Sequence, residues 1–216
     1  MKKNVLKKRI ITSTTLIFLV YLIFNSIYFM ISSFLILGIL SIIEFLNISN
    51  RIFKKKIYFL TTNLIYIFLI TIFSISFYIL YNYQQTKFLL FILLIGCIAS
   101  DIGGYVFGKL LKGPKLTKVS PNKTISGALG SFILSCLAIS VLIYFETNVL
   151  KFSFILIGIM TSLYCQLGDL FFSYLKRKAK LKDTGNILPG HGGVLDRLDG
   201  ILFGIPLGFL TLILLF

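Results

Sequence analysis

The chain has 216 residues, 57% hydrophobic and only 13% charged, against roughly 45–50% and 25% in a soluble domain. That composition excludes a soluble globular enzyme and a disordered chain, and the lack of period-2 alternation excludes an outer-membrane barrel. The net charge of +15 reads in this setting as a topological signal, and no nucleic-acid partner is expected.

The expected fold is all-α: a polytopic transmembrane helical bundle of about seven spans, forming a single domain over 1–216. The first span runs from Ile10 to Phe24 and the second from Ile27 to Leu46, separated only by Asn25 and Ser26. No small-residue cleavage site follows the first run, so it reads as an uncleaved span and not as a signal peptide. Ile57 to Leu80, Phe88 to Phe107, Ile125 to Phe145, Phe152 to Phe172 and Ile201 to Phe216 complete the set.

The basic residues orient these spans. With a cytoplasmic N-terminus, only Lys87 and Lys151 of the 22 basic residues fall on the far side, as the positive-inside rule requires. Merging residues 10–46 into one span puts Arg51 to Lys56 on the wrong side, so two spans are expected there. The expected location is the cytoplasmic (inner) membrane, multi-pass, with the functional loops on the cytoplasmic face. Cys97, Cys136 and Cys165 lie inside spans without metal-ligand spacing and read as small core residues.

Polar residues in so oily a chain carry the functional signal. Of the seven acids, Glu44 and Glu146 lie near span ends, where a solvated or headgroup position is expected. Asp101, Asp169, Asp183, Asp196 and Asp199 all lie in or beside the two longest cytoplasmic segments. An ionisable group at membrane depth marks a site or a pathway by default.

The segment from Asp101 to Gly130 opens with "DIGGYVFGKL", which nearly spells a phosphate-binding loop. Leu110 stands where the hydroxyl residue belongs, and the segment follows an apolar helix and not a strand, so that match is rejected. "SPNKT", Ser120 to Thr124, places hydroxyls and Lys123 at the start of the next span, where free helix N–H groups favour an anion. It reads equally as an ordinary helix cap.

In "SYLKRKAKLKDTGNILPGHGG", Ser173 to Gly193, Lys176, Arg177 and Lys182 are suited to phosphate oxygens. The glycines allow a backbone to approach a ligand closely. In "HGGVLDRLDG", Asp196 and Asp199 stand three apart, on one face of a helix. Two such carboxylates either share a cation, Mg²⁺ or Mn²⁺ given oxygen-only ligands, or each pairs with a basic residue of the same loop.

The stretch from Ser173 to Asp199 carries Ser173, Lys176, Arg177, Lys182, Asp183, Gly185, His191, Gly192, Gly193, Asp196, Arg197 and Asp199. At these intervals it resembles the signature of the phosphatidate cytidylyltransferases, and the resemblance extends over about half the chain. It implies transfer of the cytidylyl group of CTP to phosphatidate, giving CDP-diacylglycerol and pyrophosphate in phospholipid biosynthesis, with Mg²⁺ as cofactor. It places metal at Asp169, Asp196 and Asp199. Lys176, Arg177, Lys182, Asp183, His191 and Arg197 stand among the catalytic residues. Asp101, Ser120, Lys123, Thr124, Ser173, Gly192 and Gly193 are substrate contacts. CTP, phosphatidate, membrane lipid and a second copy of the chain are the implied partners. A CTP-dependent lipid-alcohol kinase is the alternative within this chemistry. A cation or solute transporter is a further rival, disfavoured by polar residues clustered at one face and by the lack of an inverted repeat.

Overall fold

The computed structural model describes residues 12, 14, 15, 18–82, 84–117, 119–188 and 192–215. Residues 18–25 are helical and the chain breaks at Ser26, whose backbone is extended. The helices that follow are α1 (Ile27–Ile52), α2 (Lys56–Asn82), α3 (Gln84–Leu111), α4 (Ile125–Thr147), α5 (Phe152–Lys178), the one-turn α6 (Leu195–Leu198) and α7 (Ile201–Leu215). Among the described residues there is no strand, only the isolated bridges Lys115 to Thr124 and Leu188 to Gly192.

Among the described residues six helices are long and apolar enough to cross a membrane, counting Leu195–Leu215 as the last. Large apolar side chains along them, such as Phe29, Ile65, Phe68 and Leu137, face outward. In water that pattern would be untenable, and in a lipid phase it is the expected exterior. The protein is therefore an all-α, multi-pass membrane protein. Of the span expected at 10–24, the described residues 12, 14, 15 and 18–24 are helical. The helices overrun the expected spans by a few residues because helix geometry persists until the backbone finds an end. After α3 Lys112 and Gly113 take φ of 53° and 112°, and Asn148 closes α4 at φ 52°; both are left-handed stops.

The chain forms two compact units, Met1–Ile70 with Leu175–Leu198, and Thr71–Tyr174 with Asp199–Phe216. In the first, Phe45 of α1 stacks on Tyr66 of α2 with ring centroids 3.9 Å apart, and Ser49 donates to Asn63 at 3.0 Å. In the second, α3 and α4 meet through glycines. A Cβ at Gly103 would run into the Gly130 carbonyl, and one at Gly127 would lie 2.7 Å from the Gly104 carbonyl oxygen. "DIGGYVFG" and "SGALG" are thus two halves of one close helix contact, the small-residue packing that membranes favour. The Ser131 hydroxyl donates to the Ser100 carbonyl at 2.7 Å, and Ser100 and Ser162 share a hydrogen bond at 2.8 Å that joins α3 to α5. Gly204 and Gly208 let α7 approach Cys97 and Thr161. Cys97 and Cys165 are buried, as expected of core residues, and Cys136 is half-buried.

Candidate active site

The α3–α4–α5 unit encloses a cavity of about 220 Å³ whose wall includes Asp101, Asn122, Lys123, Thr124, Gln166 and Asp169. Its floor follows from the loop that precedes α4. The Leu116 amide donates to the Lys123 carbonyl at 2.8 Å, and the Ile125 amide to Pro114 at 3.1 Å. Ser120 to Lys123 closes as a turn, with the Lys123 amide donating to the Ser120 carbonyl at 3.0 Å. Thr124 caps α4 by accepting from the Gly127 amide at 3.1 Å, so the cap expected of "SPNKT" is present. The same turn aims Lys123 at Asp169, and the two form an ion pair. The Ser173 hydroxyl lies 3.4 Å from the other oxygen of that carboxylate. Asp101 is exposed, with the Cys165 thiol 3.9 Å from its Oδ1.

The other unit holds a second acid–lysine pair. Lys176, on the last turn of α5, donates to Asp196 Oδ1 at 2.7 Å, and both side chains are nearly buried. Asp196 Oδ2 accepts from the Thr184 amide at 2.8 Å and the Gly193 amide at 3.0 Å, and it lies 3.0 Å from the Thr184 hydroxyl, whose single proton has the shorter contact with Glu44 Oε2 at 2.7 Å. Gly192 has φ 85°, and a Cβ there would sit 2.8 Å from Asp196 Oδ2. Arg177, Lys182, Asp183 and Arg197 are exposed. Arg177 donates to the Leu181 carbonyl at 3.2 Å. His191 lies outside the described residues.

Two expectations are corrected. Glu44 is not solvated: it is 2% exposed and accepts from the Val194 and Leu195 amides and the Thr184 hydroxyl. Its partners are far along the chain, so nothing in its local sequence announced them. Glu146 is exposed, as expected. Asp199 does not share a helix with Asp196, because α6 ends at Leu198 and Asp199 lies in the following turn, where its Oδ1 accepts the Gly200 amide at 2.9 Å. Besides Glu44, Thr184, Asn122 and Gln166 are polar site residues that the sequence reading passed over. Thr184 is the most accessible to such a reading, since it sits inside the signature.

Among the described residues no three His, Cys, Asp or Glu side chains converge as a metal-ion nest. The donors present are carboxylate oxygens, the chemistry that suits a hard divalent cation. At Asp169 and Asp196 a lysine ammonium supplies the positive charge instead. Asp196 already accepts from Lys176 on Oδ1 and from the Thr184 and Gly193 amides on Oδ2. Asp169 is likewise engaged by Lys123, and Asp199 Oδ1 by the Gly200 amide.

The model of the cytidylyltransferase family matches residues 1–215. A phosphatidate cytidylyltransferase of Helicobacter pylori is 46% identical over 112 residues, 52% of this chain and 42% of that protein. The protein of the same name from Staphylococcus haemolyticus is 46% identical over 110 residues, 50% of this chain and 42% of the relative. The one from Staphylococcus epidermidis is 41% identical over 126 residues, 57% and 48%. The matched stretch thus spans less than half the length of these relatives. With the family model covering nearly every residue, the chain belongs to the cytidylyltransferase family.

Proposed function

We propose that this protein is a phosphatidate cytidylyltransferase, a nucleotidyltransferase making CDP-diacylglycerol and pyrophosphate from CTP and phosphatidate for phospholipid biosynthesis. The observation that carries the reading is the 220 Å³ cavity in an apolar helix bundle whose lining includes Lys123, Asp169, Thr124 and Asp101. Family membership and the names of the relatives support it.

A phosphate oxygen of phosphatidate, already anionic, attacks the α-phosphorus of CTP. A new phosphorus–oxygen bond forms, the bond from that phosphorus to the β-bridging oxygen breaks, and pyrophosphate leaves with the electron pair. No strong general base is needed, so the residues act by alignment and charge neutralisation. Lys176, Arg177 and Lys182 hold phosphate oxygens, and Ser120, Lys123 and Thr124 provide a second phosphate or nucleotide contact. Asp101, Ser173, Gly192 and Gly193 border the substrates. Asp183 and Arg197 act within the same signature, and His191 orients a phosphate or shapes its turn. Asp169, Asp196 and Asp199 are the carboxylates that would hold Mg²⁺, which would neutralise charge on the phosphates. Residues 1–216 serve as one domain. The protein lies in the cytoplasmic membrane with its N-terminus and catalytic loops inside, works as a homodimer, and draws phosphatidate from the surrounding lipid.

The test supplies purified protein with Mg²⁺, phosphatidate and CTP labelled at either the α- or the γ-phosphate. The expected result is α-label in lipid and γ-label in pyrophosphate. With a lipid alcohol supplied alongside as acceptor, γ-label in lipid would identify a lipid-alcohol kinase, and no labelled lipid from folded protein overturns the proposal.

A further inference from the structure

Glu44 lies on α1, outside the signature of Ser173 to Asp199. It is an acid at 2% exposure on a helix whose sequence around it is SIIEFL. A buried carboxylate needs hydrogen-bond partners or a counter-charge, and Glu44 has three donors. Oε1 accepts from the Val194 amide at 3.0 Å, and Oε2 from the Leu195 amide at 2.9 Å and the Thr184 hydroxyl at 2.7 Å.

The backbone around it is shaped to admit it. A Cβ on Gly185 would come 2.6 Å from Oε1, and one on Gly193 would run into Oε2 and the Thr184 hydroxyl. The glycines of the loop therefore make room for an acid from a distant part of the chain. Thr184 links the two acids of this unit, its hydroxyl also lying 3.0 Å from Asp196 Oδ2. Holding 184, 194 and 195 at once fixes both sides of the loop that presents Asp196 to Lys176.

The geometry points to Glu44 as a positioning residue: its carboxylate ties both sides of the signature loop to α1 and so sets where Asp196 and Lys176 stand. It acts through Thr184, Val194 and Leu195 and touches no substrate. The catalytic consequence rests on the cytidylyltransferase reading, while the loop-holding consequence does not.

Glu44→Gln is the direct probe. It keeps size and shape but leaves one acceptor where two amides and a hydroxyl converge, and its own NH₂ then faces a donor. Backbone hydrogen exchange over 192–198 and kcat and KM for CTP are read on the full-length protein in detergent with Mg²⁺. Exchange over 192–198 is expected to rise by about tenfold or more while that of α4 stays unchanged. The kcat falls about tenfold or more, with KM for CTP within about threefold. Thr184→Val, which removes one of the three donors, gives a smaller change in the same direction and carries the test if Glu44→Gln does not fold. Glu146→Gln, at an exposed acid, changes neither quantity. Unchanged exchange over 192–198 overturns the inference, as does faster exchange with wild-type kcat or a loss carried by KM alone. If wild-type protein makes no CDP-lipid, the enzymatic reading fails, and the exchange measurement still decides whether Glu44 holds the loop.

Discussion

Lys176 and Asp196 have side chains 12% and 7% exposed, whereas Lys123 and Asp169 stand at 27% and 32%. Burial makes an ion pair costly to break on one side only, because the remaining charge keeps its desolvation penalty and loses its compensation. A double-mutant cycle on unfolding with Lys176→Met and Asp196→Asn is expected to give a coupling of about 1–3 kcal/mol. The Lys123→Met and Asp169→Asn cycle, with more solvent screening, is expected to give under about 1 kcal/mol. Equal couplings would contradict this ranking. The looser pair is also the one better able to hand its lysine to a phosphate, so Lys123→Met should raise KM for CTP more than it lowers stability. At this scale the acids and bases of the signature were legible because charged residues are conspicuous in an apolar chain. Their partners were not: whether Asp196 meets a lysine or a cation depends on the fold that brings Lys176 to it. Glu44 was read as solvated because its neighbours in sequence are apolar and its real partners lie in another segment.

Helices α3 and α4 show what a sequence pattern can and cannot say about an element. Runs of apolar residues marked the helices well, since a lipid solvent requires each span to satisfy its own backbone. The glycines inside them carried no such label. Gly103 and Gly108, spaced almost like a phosphate-binding loop, instead lie in a helix and serve backbone contact with α4. Gly103→Ala is therefore expected to destabilise by about 1–3 kcal/mol, because the obstructing atoms belong to the Gly130 backbone and cannot rotate away. Gly38→Ala is the matched control. Its added methyl would meet only Ile70 Cγ2 at 3.7 Å, an ordinary contact, and the substitution relieves a mid-helix glycine, so stability should hold or rise by up to about 1 kcal/mol. Thermal unfolding in one detergent compares the two, and equal effects would remove close backbone approach as the reason for Gly103.

For the molecule in its membrane, charge distribution gives the orientation that helix geometry alone does not. Helix α4 has 23 residues, about 35 Å at the usual rise, which spans a hydrocarbon layer of about 30 Å. The loop before it holds Lys112, Lys115, Lys118 and Lys123, and the loop after it holds only Lys151. Under the proposed topology the basic loop faces the cytoplasm, where a water-soluble triphosphate would reach Lys123 without crossing lipid. Single cysteines at Lys115 and at Val149, each in a background with Cys97, Cys136 and Cys165 replaced by serine or alanine, should report opposite sides. In intact cells a membrane-impermeant maleimide should label position 149 and spare position 115, which should react only after permeabilisation. Labelling of both from one side would contradict α4 as a span, and the reverse pattern would place the Lys123–Asp169 cavity away from cytoplasmic CTP and defeat the proposed reaction.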